Sequence, residues 1–508
     1  MAKDPQQQQK QPQKQPQTNK SGITTREQDY SQWYLDVIKR ADLADYAPVK
    51  GCMIIKPYGY AIWEGIQRAL DKMIKDTGHE NAYFPLFIPL SFLEKEAKHV
   101  EGFAMECAVV THSGLAKGPD GKLHPRGEIE EPLIVRPTSE TIIGHAWHDW
   151  VQSWRDLPLL HNQWANIVRW EMRTRLFLRT LEFLWQEGHT AHATPGEAQE
   201  EVRRMLDVYR VLAEEWLAMA VVPGEKTESE RFPGAVSTYS IEAMMQDRKA
   251  LQAGTSHFLG QNFSKAFDVG FQSKEGKREH VYTTSWGVST RLIGGMIMSH
   301  SDDKGLVVPP KLAQWQVVIV PIFKSDEEAA KVKPVVASLA AELKARGVRH
   351  KVDERDHLSA GNKFYEWEGK GVPVRVEVGP KDVDKGQLVQ ARRDTGEKSF
   401  LPVAQFLSTI DATLTSIQAG LLAASRKRLE EKTFDKQDYA GLREVIDAEA
   451  GWVRAGWCGA GACEAKVKEE TKATIRCLPL SGSEAGAGEK CVVCGAAAKH
   501  KVLFAKAY

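Results

Sequence analysis

Four arginines lie within one short segment that is rich in aromatic side chains: Arg169, Arg173, Arg175 and Arg179. The segment reads RWEMRTRLFLRTLEFLWQEGHTAHAT. Guanidinium groups match phosphate bidentately, so a strand–loop–strand hairpin would hold them over a polyphosphate. An aromatic side chain such as Phe183 would then stack on a base. A salt-bridged surface hairpin explains the same composition equally well, because arginine clusters usually lie on solvated faces.

Five of the seven cysteines lie near the C-terminus, and four of them form two close pairs. Cys458 and Cys463 are separated by four residues, and Cys491 and Cys494 by two. Four thiolates on two such turns suit tetrahedral Zn²⁺, and a site filled by four protein ligands is structural. The alternative is four reduced thiols without a metal. We interpret Cys477, between the pairs, as non-ligating.

The elements that must position these residues can be predicted from apolar spacing and from turn residues. The first 310 residues combine predicted helices with strands: a helix over Ala61–Thr77 ended by Gly78, a strand over Ala82–Leu90 interrupted by Pro85, strands at Pro132–Arg136 and Ala165–Trp170, a helix from about Ser139, an amphipathic helix over 196–220, and a strand followed by a glycine-rich stretch over 280–300.

The pattern changes after Pro309–Pro310. Strand and helix then alternate: a strand at Trp315–Pro321, a helix at Asp326–Arg346, and strands at Val348–Val352 and Val372–Val378. This alternation predicts a separate α/β domain with a partly parallel sheet. A basic helix at Ser425–Lys432 leads on to the cysteines.

Composition excludes several classes of function. The 508 residues are 42% hydrophobic and 27% charged, with a net charge of +1, so bulk positive charge does not hold a nucleic acid. The sequence contains no apolar run of 18 residues, so no membrane span is predicted. The N-terminus lacks the apolar core of a signal peptide. Together with the cysteine clustering, this indicates a cytoplasmic protein. The Gln-, Lys- and Pro-rich residues 1–22 are predicted to be a disordered tail.

Several long segments resemble one enzyme family, in the family's order. The arginine-rich segment resembles motif 2 of class II aminoacyl-tRNA synthetases, in the form found in prolyl-tRNA synthetases. PTSE (Pro137–Glu140) resembles that family's amino-acid-binding loop, and QAGTSHFLGQNF (Gln252–Phe263) another family segment. SWGVSTRLIGGMIMSHSDDKGLVVPP (Ser285–Pro310) resembles motif 3, and GYAIWEGIQRALDKMI followed by NAYFPLFIP resembles motif 1. The similarity covers the chain from about Ile23 to Tyr508.

The resemblance implies three folded parts. They are an α+β catalytic domain on an antiparallel sheet (23–310), an α/β anticodon-binding domain (311–415) and a small α/β zinc-binding C-terminal domain (416–508). The implied subtype is archaeal/eukaryote-like, with the C-terminal zinc domain. The interval from Thr194 to Ser285 is too short for an editing insertion.

The implied reaction is ATP-dependent attachment of L-proline to tRNA(Pro) through a prolyl-adenylate, with Mg²⁺ bound alongside ATP and the enzyme a homodimer. The implied catalytic residues are Arg169, which contacts the proline carboxylate and the α-phosphate, and Arg291, which contacts the γ-phosphate. The other implied ATP contacts are Glu171, Arg179, Thr180, Phe183 on adenine, Gln252 near magnesium, Thr255 and Ser289.

The implied proline pocket must hold a small cyclic secondary ammonium. A carboxylate and a hydroxyl near the nitrogen suit Glu140 and Thr138, and apolar side chains suit the ring. The remaining pocket residues are Trp185, Phe232, His257, Ser285 and Trp286, with His189 as a weaker candidate. Each aromatic residue taken alone is more simply a core residue. Such a pocket is also expected to admit alanine or cysteine, because discrimination by apolar size is weak.

The anticodon of tRNA(Pro) contains adjacent guanines, which arginine, lysine and carboxylates can recognise. Lys363, Phe364, Arg375 and Glu377 are candidates, and ordinary surface charge is the alternative for each. The terminal carboxylate of Tyr508 is expected near the catalytic site by resemblance.

Two rival functions remain. One is a class II synthetase for threonine, serine, glycine or histidine, and the other is a non-catalytic tRNA-binding relative. Retention of Arg169, Arg179 and Arg291 favours an active enzyme.

Overall fold

The structure is a computed structural model that describes residues 22–95, 107–171 and 173–508. The predicted tail therefore lies outside the described residues, apart from Gly22. Within these ranges, no helix is long and apolar enough to cross a membrane.

The first part of the chain begins with two amphipathic helices, whose ends follow from their sequences. Asp29 caps α1 by accepting hydrogen bonds from the Ser31 and Gln32 backbone N–H groups. Pro57 occupies the first turn of α2, where no N–H donor is needed. Gly78 follows α2 with a φ of +92°, which glycine adopts without strain. The helices of this part are α1 (Tyr30–Arg40), α2 (Pro57–Asp76), α3 (Leu90–Lys95), α4 (Glu140–Trp150), α5 (Pro195–Val211), α6 (Asn262–Ala266) and α7 (Arg291–His300).

Fourteen strands accompany these helices in the described residues. They are β1 (Ala44–Tyr46), β2 (Met53–Ile55), β3 (Glu80–Asn81), β4 (Phe87–Pro89), β5 (Ala108–Lys117), β6 (Leu123–Val135), β7 (Leu159–Val168), β8 (Glu182–His192), β9 (Val221–Glu225), β10 (Ser237–Met244), β11 (Ala250–Gly260), β12 (Gly270–Gln272), β13 (Arg278–His280) and β14 (Tyr282–Ser289). The central strands run in the order β9-β10-β11-β14-β8-β7 and every neighbouring pair is antiparallel. The predicted antiparallel α+β catalytic domain is confirmed.

Two sequence predictions in this part were wrong in detail. The helix predicted over 196–220 ends at Val211 and is followed by a π-helical turn at Leu212–Trp216. The strand predicted over Ala82–Leu90 forms only at Phe87–Pro89. The glycine-rich stretch at the end of 280–300, for which no element was predicted, is helix α7, and its glycines permit close packing. A Cβ on Gly294 would lie 2.5 Å from Leu178, and one on Gly295 would lie 2.8 Å from Leu251.

The second part is the predicted α/β domain. Its elements are β15 (Val317–Pro321), α8 (Asp326–Ala345), β16 (His350–Val352), α9 (Ala360–Gly369), β17 (Val374–Val378), α10 (Pro380–Asp384), β18 (Gln387–Arg392), β19 (Lys398–Pro402) and α11 (Val403–Glu431). Strand β15 is parallel to both β16 and β17, while β18 and β19 are antiparallel additions, which confirms a partly parallel sheet. Helix α11 runs through the predicted boundary between residues 415 and 416.

The third part extends the catalytic sheet. Its elements are β20 (Thr433–Asp435), α12 (Tyr439–Asp447), β21 (Trp452–Trp457), α13 (Gly461–Thr471), β22 (Thr474–Pro479) and β23 (His500–Ala505). Leu478 and Pro479 of β22 pair with Glu225 and Gly224 of β9. One eleven-stranded sheet therefore runs from β20 through the catalytic strands to β3. This continuity was not predicted from the sequence.

Candidate active site

Strand β8 supplies one side of a cleft because successive side chains alternate between the faces of a strand. Phe183, Trp185, Glu187 and His189 are each two residues apart, and all four line a cavity of about 320 Å³. Strand β8 is the second strand of the predicted arginine-rich hairpin, and β7 is the first. The hairpin is therefore a wall of a cleft.

Strand β14 continues the same face. Its residues Ser285, Gly287 and Ser289 lie directly opposite His189, Glu187 and Trp185 of β8, so these pairs share one side of the sheet. Ser285 is buried and its hydroxyl has no hydrogen-bond partner among the described residues. A buried hydroxyl that faces a cavity is suited to a ligand.

Strand β11 reaches the cleft through a β-bulge. Glu242 pairs with Gln252 and Ile241 pairs with Gly254, which leaves Ala253 as the extra residue. The extra residue shifts the alternation, so that Gln252 lines the same cavity as Thr255 and His257.

The amino-acid end of the cleft contains the PTSE segment at the start of α4. The Thr138 hydroxyl donates a hydrogen bond to the Glu140 carboxylate, and Glu140 is buried in the first turn of the helix. A carboxylate at a helix N-terminus is stabilised by the helix dipole. Both predicted ammonium-binding residues thus face one cavity.

Glu187 was not predicted from the sequence, although it anchors a buried network beneath this end. One of its oxygens accepts hydrogen bonds from the Ser139 hydroxyl at 2.5 Å and from the Gln163 amide at 2.7 Å. The other lies 2.9 Å from Nε2 of His189. Its place in the sequence could have predicted this position. Glu187 lies two residues from both Trp185 and His189, so in a strand all three side chains lie on the same face.

Glu187 and His189 each favour the charged form of the other. Burial opposes ionisation of the Glu187 carboxyl, but hydrogen bonds from His189, Ser139 and Gln163 outweigh it and lower the pKa. Burial also lowers the pKa of His189, but the hydrogen bond and charge of Glu187 outweigh it and raise that pKa above its ordinary value. His189 therefore lines the cavity, and its hydrogen bond with Glu187 fixes the orientation of its ring.

His257 and Phe232 form the opposite wall. Their rings lie 4.6 Å apart, and the Thr238 hydroxyl lies 3.0 Å from Nδ1 of His257. Burial, with the charges of His189 and Arg169, lowers the pKa of His257 to about 3. His257 is therefore neutral at pH 7, and with Phe232 and Trp185 it suits a small apolar ring.

Trp286, which was predicted in the pocket wall, borders the cavity, and its ring lies behind the sheet. Trp286 is paired with Gly188, so both side chains point away from Ser285 and Glu187. Its ring packs against His79 at 5.1 Å and Tyr209 at 6.3 Å in the hydrophobic core. The ring of Trp286 therefore supports the sheet from behind the cleft.

The other end of the cleft is cationic. Arg291, at the start of α7, donates hydrogen bonds to the backbone carbonyl of Leu178. Burial and the charges of Arg179 and Arg169 lower its pKa to about 10, so the guanidinium remains charged at pH 7. No ion pair joins it to a carboxylate within the described part of the chain. A half-buried guanidinium without a carboxylate partner suits an anionic ligand.

Arg169 lies between the two ends. Its Nε donates to the Pro137 carbonyl at 3.0 Å, and its guanidinium lies 5.8 Å from the Phe183 ring and 5.6 Å from that of Trp185. The arginine is thus placed to touch a ligand bound at either end.

Three predicted ATP contacts lie beside the main cavity. Glu171 forms an ion pair with Arg179 at 3.5 Å, and Arg179 lines a smaller pocket together with Arg291. The buried Thr180 hydroxyl donates to the Glu182 carbonyl at 2.7 Å.

Tyr508 also lines the smaller pocket, and its hydroxyl donates to Asp247 at 2.6 Å.

The four predicted zinc ligands come together. The sulfur atoms of Cys458, Cys463, Cys491 and Cys494 all lie within 4.8 Å of one another, and Cys458 lies 3.7 Å from both Cys463 and Cys494. Sulfur atoms at tetrahedral positions about 2.3 Å from zinc lie about 3.8 Å apart. Cys477 is buried in β22 and is not part of this cluster.

The predicted anticodon residues divide into two groups. Arg375 contacts Glu377 at 2.8 Å and lies 4.5 Å from the Phe364 ring, while Lys398 adds a second cation at 3.0 Å from Glu377. Lys363 is buried and donates to the Asp353 carbonyl at 3.0 Å, away from this group.

Comparison with known families divides the chain into three matched regions. Residues 124–300 match the family model described as "tRNA synthetase class II core domain (G, H, P, S and T)". Residues 316–413 match "Anticodon binding domain", and residues 439–508 match "Prolyl-tRNA synthetase, C-terminal".

Curated relatives match almost the whole chain. The proline–tRNA ligase of Chloroherpeton thalassium is 58% identical over 492 residues. The proline–tRNA ligases of Porphyromonas gingivalis and Salinibacter ruber are each 55% identical, over 489 and 488 residues. Each alignment covers 96% of this chain and 99% of the relative.

Proposed function

The chain belongs to the proline–tRNA ligase family, and we propose that it attaches L-proline to tRNA(Pro) in two steps: ATP first converts proline to a prolyl-adenylate, and the prolyl group then passes to the tRNA with release of AMP. The observation that carries this proposal is the composition of one cleft. Glu140 and Thr138 lie at one end, Arg291 lies at the other, and Arg169 lies between them. An amino acid and a nucleotide bound there would meet at Arg169.

Binding of proline follows from the residues at the first end. The Glu140 carboxylate and the Thr138 hydroxyl hold the secondary ammonium, while Trp185, Phe232 and His257 surround the ring. His257 adds no charge at pH 7 and so does not oppose the ammonium. The partnerless Ser285 hydroxyl is a further polar contact at this end.

The first chemical step joins a proline carboxylate oxygen to the α-phosphorus of ATP and releases pyrophosphate. Catalysis of this step depends on orientation and on cations that face the developing charge. Arg169 orients the carboxylate and the α-phosphate, because the Pro137 carbonyl fixes its guanidinium. Arg291 and Arg179 face the departing pyrophosphate, with Ser289 nearby, and Phe183 stacks on adenine.

Magnesium fits beside the phosphates, where Gln252 and Thr255 offer oxygen atoms at the bulge of β11. When bound, Mg²⁺ supplies charge neutralisation on the phosphate oxygens. Glu171 and Thr180 complete the proposed ATP contacts from the motif 2 loop.

The four-cysteine cluster is proposed to bind structural Zn²⁺, because its sulfur spacing matches tetrahedral coordination. We also assign the chain to the archaeal/eukaryote-like subtype without an editing insertion. The interval from Thr194 to Ser285 is occupied by α5, α6 and the strands from β9 to β14.

Recognition of the tRNA(Pro) anticodon is proposed for the α/β domain, with Arg375, Glu377 and Phe364 forming one group and Lys363 a separate candidate. The protein is proposed to act as a homodimer in the cytoplasm. Light scattering tests the dimer, and a mass of one chain at micromolar concentration would refute it.

Amino-acid-dependent exchange of labelled pyrophosphate into ATP tests the proposed reaction. Proline should support exchange, and the purified protein should then charge tRNA(Pro). Threonine, serine, glycine and histidine serve as comparison substrates. Exchange with only one of these would indicate a different class II synthetase, and exchange with none of the five would indicate a non-catalytic relative.

A further inference from the structure

One loop of the catalytic domain forms part of the amino-acid end of the cleft. Residues 226–236 connect β9 with β10, and the consecutive residues Glu230, Arg231, Phe232 and Pro233 line the main cavity. The Phe232 backbone N–H donates to the Thr238 hydroxyl at 3.0 Å, and the ring of Phe232 covers His257. The position of this loop therefore determines the shape of the proposed proline pocket.

The first half of the loop is held by the C-terminal domain. The Thr227 hydroxyl donates a hydrogen bond of 2.7 Å to the Glu464 carboxylate, and both residues are buried. The Lys468 ammonium lies 3.1 Å from the Glu230 carboxylate. Glu464 and Lys468 are four residues apart in α13, so both side chains lie on one face of that helix.

The beginning of the loop is held by the same domain through a buried ionic cluster. The Lys226 ammonium donates to the backbone carbonyl of Arg476 at 2.7 Å and lies 3.3 Å from Glu242. Arg476 contacts the other oxygen of Glu242 at 3.0 Å. This cluster holds Lys226 at the start of the loop. The contacts of α13 hold the part of the loop that follows, from Thr227 to Glu230.

Helix α13 also begins in the four-cysteine cluster. Cys463 is its third residue and directly precedes Glu464. The side chain that orients the loop is thus adjacent in sequence to one of the four thiols. The cysteine cluster and Thr227 are therefore connected through the first turn of one helix.

We propose that α13 positions the 226–236 loop for amino-acid recognition, with Glu464 and Lys468 as positioning residues and the cysteine cluster as the fixed base of the helix. The proposal rests on the proposed function, in that the amino acid recognised is proline. Neither residue lines the cavity, and both act through the loop beside the amino-acid end, so their loss should raise the KM for proline and leave the KM for ATP nearly unchanged.

The first experiment measures pyrophosphate exchange at varied proline and varied ATP. Lys468→Ala should raise the KM for proline about threefold, and Glu464→Ala about tenfold, with the KM for ATP within twofold of wild type. The matched controls are Lys466→Ala and Glu469→Ala, which remove exposed charges from the same helix. Equal proline KM values for test and control variants would overturn the proposal.

The second experiment separates the hydroxyl contact from general damage. Thr227→Val removes the donor to Glu464 at nearly constant volume, whereas Thr227→Ser retains it. Valine should raise the KM for proline about tenfold, and serine should restore it to within twofold of wild type. A valine variant that behaves like the serine variant would show that the contact does not position the loop.

The third experiment reads the loop without relying on catalysis. Amide hydrogen exchange of peptides covering residues 226–236 should increase in Glu464→Ala and in Cys494→Ser, relative to Glu469→Ala. Unchanged exchange in both variants would refute the coupling. If the wild-type protein shows no proline-dependent activity, the proposed function fails, whereas the exchange result still decides whether α13 holds the loop.

Discussion

At the scale of single residues, titratable side chains in the same cleft differ in their protonation. In their buried pair, Glu187 and His189 each favour the charged form of the other, whereas burial keeps His257, on the opposite wall, neutral at pH 7. Arg291 stays charged at pH 7 although it is half-buried, because its pKa is lowered only to about 10. The residue types were visible in the sequence, but their protonation follows from burial and from neighbours that are distant along the chain.

The neutral state of His257 has a measurable consequence for acid stability. Its pKa is about 3 in the folded protein and about 6.5 in an unfolded chain. The unfolded chain therefore binds the additional proton between these values. The stabilising contribution is complete above about pH 6.5 and is lost as pH falls towards 3, at about 1.4 kcal/mol per pH unit.

His257→Gln removes this titration. Between pH 6.5 and pH 4.5, the free energy of unfolding of the variant should fall by about 2–3 kcal/mol less than that of the wild type. Urea denaturation at the two pH values measures the difference. The exposed His357→Gln serves as the control and should follow the wild type; parallel pH dependences for His257→Gln and wild type would contradict the prediction.

At the scale of elements, the cleft depends on how three strands are aligned. Strands β8 and β14 present alternate residues, whereas β11 needs its bulge at Ala253 to bring Gln252 to the same side as Thr255. Alternation can be read from a sequence, but a bulge depends on the pairing of two strands. The same alignment places Trp286 behind the sheet, against Gly188.

Gly188 leaves the space that the Trp286 ring occupies. A Cβ at Gly188 would lie 2.0 Å from the ring, so Gly188→Ala must displace Trp286 or the strand between Glu187 and His189. Overpacking of this kind typically costs about 1–3 kcal/mol. The variant should lose stability by about that amount in urea denaturation and should raise the KM for proline several-fold.

The control for this substitution is Gly196→Ala, because an added Cβ there meets no atom within 4 Å. Alanine is favoured over glycine within a helix, so the control should be as stable as the wild type or more so. Wild-type stability and proline KM in Gly188→Ala would show that the sheet accommodates the methyl group.

At the scale of the whole molecule, the C-terminal domain is joined to the catalytic domain by one continuous sheet. The junction between β9 and β22 is accompanied by the buried cluster of Lys226, Glu242 and Arg476, whose side chains are at most 8% exposed. These charges compensate one another only while the two domains stay paired. The domains are therefore expected to unfold together.

Glu242→Gln tests this junction. The substitution leaves two buried cations without a carboxylate, and breaking a buried ion pair typically costs about 3–5 kcal/mol. Asp447→Asn is the matched control, because it breaks the exposed Arg443–Asp447 pair and should cost less than about 1 kcal/mol. Denaturation in urea measures both. A loss for Glu242→Gln no larger than that of the control would contradict the prediction.

The sequence by itself determined the family and the close pairs of thiols, and through the family resemblance it predicted the adenylating chemistry. These depend on residue types at short spacing or on motifs in a fixed order, so local reading was sufficient. It also predicted most helices and strands, because their apolar periodicity is local.

Only the tertiary structure decided which motif residues share the cleft. In the structure, the Trp286 ring lies behind the sheet and Glu187 lies beneath the pocket. The strands of the C-terminal domain pair with those of the catalytic domain. It also brought Thr227 to Glu464, which lies 237 positions away along the chain. The physical reason is that burial, strand pairing and buried hydrogen bonds arise between distant segments, and no local pattern records which segments will meet.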